Sequence, residues 1–258
     1  MLQSRSELSA AKRVVVKVGS SSISGVNEHK IDMIVDALAA AHQRGQQVIL
    51  VTSGAIATGL PLLGLEEKPE DLATSQALAS VGQGRLISRY QQSLERYGII
   101  AGQVLLTAQD LEGDETTVNA QRAMERLLEL RVIPIVNEND TVATAEIRFG
   151  DNDRLGALVA VLVDADALIL LSDVDALYDM PPTKPEAKRV ERIAYGEDIS
   201  TIEIGGSGTA VGTGGAITKV SAAKVANDAG GAVLLTSADL VNDALSGANI
   251  GTWFEPKG

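Results

Sequence analysis

At 258 residues, with 22 Lys and Arg against 34 Asp and Glu for a formal charge of −12, the chain has the size of one large domain or two small ones. Its 45% hydrophobic and 22% charged content suffices for a sizeable core, while its acidity argues against a nucleic-acid backbone or an anionic membrane as partner, since both need a basic footprint. Without Cys there are no disulfides, thiol nucleophiles or zinc–thiolate sites, and with two His, His29 and His42, both on one predicted surface helix, triad hydrolysis and His-ligated zinc lose their parts.

Met1 to Lys12 is polar with no apolar leader, and the most apolar stretch, Gly156 to Leu171, is interrupted by Asp164 and Asp166, so a soluble, cytoplasmic chain is expected. Val14 to Val18 reads as a buried strand ending in the turn Gly19-Ser20-Ser21-Ser22. Ile31, Ile34, Val35 and Leu38 then repeat at helical spacing before a stop at Gly45, and Val48 to Val51 is a second apolar strand followed by a turn, Thr52-Ser53-Gly54-Ala55. The alternation continues with a helix over 72–97, a strand over 102–106, a helix over 118–130 and a strand over 132–136. A helix over 151–163 and a strand over 167–171 precede Met180 to Arg189, a polar, Pro-containing stretch expected as an exposed excursion. A glycine-rich segment, 205–215, leads into a helix over 216–228 and a strand over 232–235, and the chain ends with Gly251-Thr252-Trp253-Phe254. Solidly apolar strands alternating with helices predict a three-layer α/β/α sandwich with a mainly parallel central sheet, one domain with two functional halves meeting near residue 165.

Lys17 falls near the carboxyl end of an apolar strand, where open α/β sheets bind ligands; alone it would equally be a lysine snorkelling from a strand end. It is accompanied by two strand-following turns of Gly and small hydroxylated residues, whose amides can approach an anion closely. Gly212-Thr213-Gly214-Gly215-Ala216-Ile217-Thr218-Lys219 opens a helix and could cradle phosphates, with Lys219 one turn inside, although by itself it is equally an ordinary glycine-rich loop. Neither the P-loop pattern nor Gly-x-Gly-x-x-Gly occurs here. Polar residues concentrate in Asn137-Glu138-Asn139-Asp140-Thr141 and in Gly150-Asp151-Asn152-Asp153; one could be a helix cap, but together they suit a bound amino group, the orientation of lysines, or a hard cation held through water and phosphate. Two lysines, several acids and no imidazole base fit phosphoryl transfer, and the missing base favours a carboxylate acceptor, which is already ionised at neutral pH.

These motifs resemble the glutamate 5-kinase family of the amino-acid kinase fold, over residues 12 to 254. The resemblance rests on Val-Val-Lys17-Val-Gly-Ser, Val-Thr-Ser53-Gly54-Ala55-Ile-Ala, the two polar clusters with Thr-Val-Ala-Thr-Ala-Glu-Ile between them, Leu-Leu-Ser172-Asp173 and the glycine segment. It implies transfer of the ATP γ-phosphoryl to the side-chain carboxylate of L-glutamate, the first step of proline synthesis from glutamate. Lys17 and Lys219 would touch phosphate and Asp153 would hold them in place. Ser53, Gly54, Ala55, Asn137, Asp140, Asp151 and Asn152 would form the acceptor site within residues 12–164. Lys17, Gly19, Ser172, Asp173 and Thr213, Gly214, Gly215, Ala216, Ile217, Thr218 and Lys219 would form the nucleotide site, largely within 165–258. Mg²⁺ would arrive with ATP, with no direct protein ligand. The resemblance further implies a homo-oligomer, dimer or tetramer, proline as feedback inhibitor, and a short form without the C-terminal PUA domain of longer members. The rival readings are an acetylglutamate, carbamate or nucleotide-monophosphate kinase of the same fold, or a sensor of glutamate or proline without turnover.

Overall fold

In the computed structural model of the chain, which describes residues 1–67, 69–143, 152–180, 183–197 and 216–258, the apolar runs come together as one eight-stranded sheet. In chain order the elements are β1 (Arg13–Val18), α1 (Lys30–Gln43), β2 (Gln47–Val51), α2 (Ala55–Leu62), α3 (Leu72–Glu95), β3 (Ala101–Leu106), α4 (Asp114–Glu129) and β4 (Ile133–Glu138). They continue with α5 (Asn152–Leu162), β5 (Ala167–Ser172), β6 (Arg192–Ile193), α6 (Ala216–Asp228), β7 (Ala232–Ser237), α7 (Val241–Leu245) and β8 (Thr252–Phe254). The strand order is β3-β4-β2-β1-β5-β7-β8-β6, parallel throughout except where β8 runs antiparallel to β7.

The strands are apolar on both sides because helices cover both sides. Val14, Val16 and Val18 of β1 share a core with Ile34 and Leu38 of α1, Tyr90 of α3 and Val241 of α7. Val15, between them, points the other way and joins Leu155 and Val159 of α5 and Ala222 and Ala223 of α6. This period of two sends Lys17 to the α5 and α6 side.

Several elements depart from expectation. The segment after β2 is a helix as well as a turn: Gly54 takes a left-handed φ of +102° and Ala55 opens α2. Its sequence, Ala-Ile-Ala-Thr-Gly-Leu-Pro-Leu, is apolar with no polar face, so periodicity gives no helix signal; close packing on α3 holds it instead. A Cβ on Gly59 would stand 2.2 Å from the Leu78 carbonyl oxygen, and one on Gly82 would stand 1.9 Å from that of Ala55, so both helices need glycine at the crossing. Strand β4 runs two residues further than its β-branched core, carrying Asn137 and Glu138 within the sheet, where they pair with Leu105 and Leu106 of β3. The terminal Trp253-Phe254 belongs to β8, with β6 beside it, both too short to show alternation. His42 lies in α1, and His29 immediately precedes it. The excursion at 180–189 is exposed at 183–186 and 188, half-buried at Met180, Ala187 and Arg189, and pinned at its base by a bridge between Tyr178 and Arg189.

Candidate active site

Because β4, β2, β1 and β5 are adjacent and parallel, their carboxyl ends bring Asn137, Thr52, Lys17 and Ser172 to one edge of the sheet. Such an edge is where an open α/β sheet receives ligands. Lys17 lies between Val51 and Leu170 in register and is only 3% exposed. Its stem passes α5 at Gly156, where a Cβ would stand 3.2 Å from Lys17 Cβ and Cγ. Glycine at 156 therefore lets the helix lie directly on the lysine.

The first turn of α5 delivers two side chains in different directions, since successive helical residues are about 100° apart. Asp153, completely buried, is ion-paired with both Lys17 and Lys219, the latter at 2.8 Å. Lys219 stands one turn into α6 and is 7% exposed. One carboxylate thus clasps a cation from the strand β1 and a cation from the helix α6, and Thr218 Oγ1 approaches the same carboxylate at 3.5 Å. Burying three charges is costly unless they neutralise one another, so the geometry of each depends on the other two.

Asn152, one residue earlier, donates through Nδ2 to the Thr52 carbonyl at 2.5 Å and to Asn137 Oδ1 at 2.8 Å. Asn137 Oδ1 also accepts from the Glu138 amide, and Asn137 Nδ2 donates to Gln83 of α3. Thr52 Oγ1 meets the hydroxyl of Tyr90, which burial holds firmly protonated. Next to Thr52, the Ser53 hydroxyl oxygen is buried with no hydrogen-bond partner among the described residues, which marks it for a ligand atom. Gly54 and Ala55 follow at the start of α2. Asp140 is half-buried just beyond β4, and its charge joins burial in pushing the Glu138 carboxyl up to about 7. Glu138, Asn152, Leu155 and Thr218 line a cleft of about 640 Å³, with the exposed Ile217 at its edge.

Of the residues that the resemblance assigns to the nucleotide, Gly19 lies beside the Lys17 ammonium: a Cβ there would stand 3.8 Å from Nζ. Asp173, just past β5, spends its carboxylate on the turn after β1, accepting from Ser21 Oγ at 3.0 and 2.9 Å and from Ser22 Oγ at 3.1 Å. It therefore braces the Gly19 turn. Ser172 stands in register with Ser237 of β7. Ala216 opens α6, and Asp151 together with Thr213, Gly214 and Gly215 lies outside the described residues.

Sequence reasoning missed Gln83, Tyr90 and Gly156. Gln83 carried a signal, since it falls in the apolar stripe of α3 defined by Ala79, Leu86, Ile87 and Tyr90, where a polar residue is out of place. Gly156 carried a weaker one, as an isolated glycine inside a helical pattern.

Residues 12–236 match the amino acid kinase family. A glutamate 5-kinase of Clavibacter sepedonicus is 65% identical over 98% of this chain and 98% of its own. One of Leifsonia xyli subsp. xyli is 62% identical over 99% of this chain and 95% of its own, and one of Salinispora arenicola is 53% identical over 98% of this chain and 70% of its own. Among solved structures, the carbamate kinase from Giardia lamblia bound to AMP-PNP superposes with a TM-score of 0.66 over 96% of this chain and 100% of that one, at 18% identity, a likeness of fold alone. No helix among the described residues is long and apolar enough to cross a membrane.

Proposed function

The chain belongs to the amino acid kinase family, among its glutamate 5-kinases, and from that premise we propose that it transfers the γ-phosphoryl of ATP to the side-chain carboxylate of L-glutamate. The products are L-glutamyl 5-phosphate and ADP, which makes the reaction the first step of proline synthesis from glutamate. The observation that carries this reading is the buried clasp of Asp153 on Lys17 and Lys219, set beside the Ser53 hydroxyl, which has no partner among the described residues, and the Asn137–Asn152 pair.

A carboxylate oxygen attacks the γ-phosphorus, the bond from that phosphorus to the β–γ bridging oxygen breaks, and the electron pair leaves on ADP. The acceptor has no proton to lose, which fits a site whose central carboxylate, Asp153, is engaged in holding two cations. Charge on the transferring phosphoryl oxygens is met by Lys17 and Lys219, which Asp153 fixes before the reaction begins, so little reorganisation is needed during transfer. Ser53, Asp140 and Asn152 would hold the amino acid, and the Gly19 turn, Ser172 and the start of α6 would hold the nucleotide. Residues 12–164 thereby supply the acceptor half and 165–258 the nucleotide half.

Among the described residues no group of three or more acidic or His side chains could hold a metal, and Asp153 is engaged by two lysines. The donor set therefore fits a divalent cation carried on the nucleotide's own phosphate oxygens and water, where it supplies further charge neutralisation. On the same reading, with the family resemblance as its support, the cation is Mg²⁺, the protein works in the cytoplasm as a homo-oligomer, dimer or tetramer, and proline is a feedback inhibitor.

Incubation with Mg-ATP and hydroxylamine, comparing L-glutamate, aspartate, N-acetylglutamate and no acceptor, traps any acyl phosphate as its hydroxamate. Product that depends on L-glutamate is expected. Equal product with N-acetylglutamate, or none with any acceptor despite nucleotide binding, would refute the assignment.

A further inference from the structure

Gln83 lies on α3, outside every segment that carries a site motif, yet it terminates a chain of buried amides leading to the acceptor cluster. Its Oε1 accepts from Asn137 Nδ2 at 2.6 Å; Asn137 Oδ1 accepts from the Glu138 amide at 2.9 Å and from Asn152 Nδ2 at 2.8 Å; Asn152 Nδ2 donates again to the Thr52 carbonyl at 2.5 Å. Gln83, Asn137 and Asn152 are all buried.

An amide side chain can be turned over without changing its outline, but backbone groups at Asn137 and at Asn152 forbid it. A peptide N–H can only donate, so the Asn137 atom facing Glu138 is oxygen. A peptide carbonyl can only accept, so the Asn152 atom facing Thr52 is nitrogen. Asn137 must then turn its nitrogen to Gln83, and Gln83 must answer with oxygen. Both N–H groups of Asn152 are used inside the protein, and its remaining side-chain group, Oδ1, is an acceptor with no partner among the described residues.

We propose that Gln83 is a positioning residue for the acceptor: by accepting from Asn137 it holds the amide chain in the polarity that offers Asn152 Oδ1 to the α-ammonium of the bound amino acid. This rests on Asn152 as an acceptor contact, as in the function proposed above. Two turns further along the same face of α3, Tyr90 holds the Thr52 hydroxyl at 3.0 Å, so one helix grips both partners of Asn152. Without the Gln83 oxygen, a buried Asn137 N–H is unsatisfied, and the amide is driven to rotate toward whatever acceptor it can reach.

Gln83→Met keeps the length of the side chain and removes the acceptor; Gln83→Glu keeps an acceptor oxygen. Steady-state kinetics of the full chain should show the KM for L-glutamate raised about tenfold in Gln83→Met, with kcat and the KM for ATP within about twofold of wild type. In Gln83→Glu the KM for glutamate should stay within about threefold. A structural role alone would lower the thermal midpoint or the active fraction and leave that KM in place. A wild-type KM in Gln83→Met, equal impairment of the two variants, or losses shared by both substrates would overturn the proposal. Should Gln83→Met fail to fold, Gln83→Asn decides in its place: its carbonyl falls one methylene short, so the same selective rise is expected and a normal KM overturns. Wild type and Asn152→Ala run alongside separate the two levels. No glutamate-dependent product from wild type removes the functional reading itself, and an unaltered glutamate KM in Asn152→Ala removes the contact through which Gln83 acts.

Discussion

Replacing Asp153 by Asn preserves its shape and removes the charge that Lys17 and Lys219 share. All three groups are buried, with Asp153 at 0%, Lys17 at 3% and Lys219 at 7% exposure, so solvent cannot take over the neutralisation. Removing one partner from a buried charge pair costs about 3–5 kcal/mol. At about 2.1 cal/mol/K of unfolding entropy per residue, over 258 residues, that lowers the thermal midpoint by about 6–9 °C. The same change leaves both cations without the carboxylate that aims them, and kcat should fall by about a hundredfold or more, the scale of losing an aligned charge-stabilising contact. Saturating Mg-ATP should raise the variant's midpoint by more than it raises that of wild type, because the phosphates return negative charge to the two lysines. Thermal melts with and without nucleotide, combined with hydroxamate trapping, measure all three effects. A midpoint within 2 °C of wild type would show that the clasp contributes little to the fold, and a wild-type kcat despite a lowered midpoint would reduce Asp153 to a core ion pair.

Gly156→Ala places a methyl 3.2 Å from Lys17 Cβ and Cγ, so the lysine or the helix must shift. A stability loss of about 1–3 kcal/mol is expected, with kcat reduced more than the glutamate KM is raised; unchanged kinetics would show that α5 can retreat without disturbing the ammonium. Asp173→Ala removes three contacts to Ser21 and Ser22 and should raise the KM for ATP severalfold, leaving that for glutamate unchanged, whereas Asp173→Asn, which keeps an acceptor, should lie close to wild type. Equal effects on both substrates would refute a role confined to the nucleotide turn. Burial and Asp140 raise the Glu138 carboxyl from 4.5 to about 7, so between these values the folded protein holds a proton that the unfolded chain has released, and stability falls as pH rises through that window. Glu138→Gln should therefore gain stability relative to wild type at pH 8 and not at pH 4.5; melts showing a difference independent of pH would contradict this.

Much of the fold was legible because its signals are local. A β-branched run such as Val14 to Val18 can bury both faces, the 3–4 spacing of Ile31, Ile34, Val35 and Leu38 marks one side of a helix, and together they require a parallel sheet between two helical layers. The short α2 was illegible for the opposite reason: an apolar octapeptide with Gly and Pro has no intrinsic preference for a helix, and it becomes one against Leu78 and Gly82 of α3. Likewise β8 is a strand because β7 offers it an edge, not because three residues can display a period.

The chemistry divides along the same line. Residue types at strand ends, lysine on β1, hydroxyls after β2, amides at the end of β4 and a glycine segment before a helix, are written in the sequence and point to phosphoryl transfer, while the amino-acid acceptor comes from the resemblance to glutamate 5-kinases. Which carboxylate neutralises which lysine is not; the family resemblance names Asp153, but residue types and spacing cannot, because Lys17, Asp153 and Lys219 are separated by more than sixty residues at each step and meet only when β1, α5 and α6 pack. Nor can a sequence assign Asp173 to Ser21, or Gln83 to Asn137, since a hydrogen bond depends on distances of a few tenths of an ångström that chain connectivity does not set. Residue types and their spacing set the inventory of groups and the layers that carry them; packing sets their pairing, because burial forces every polar group to find a partner and only the folded chain brings a given partner within reach.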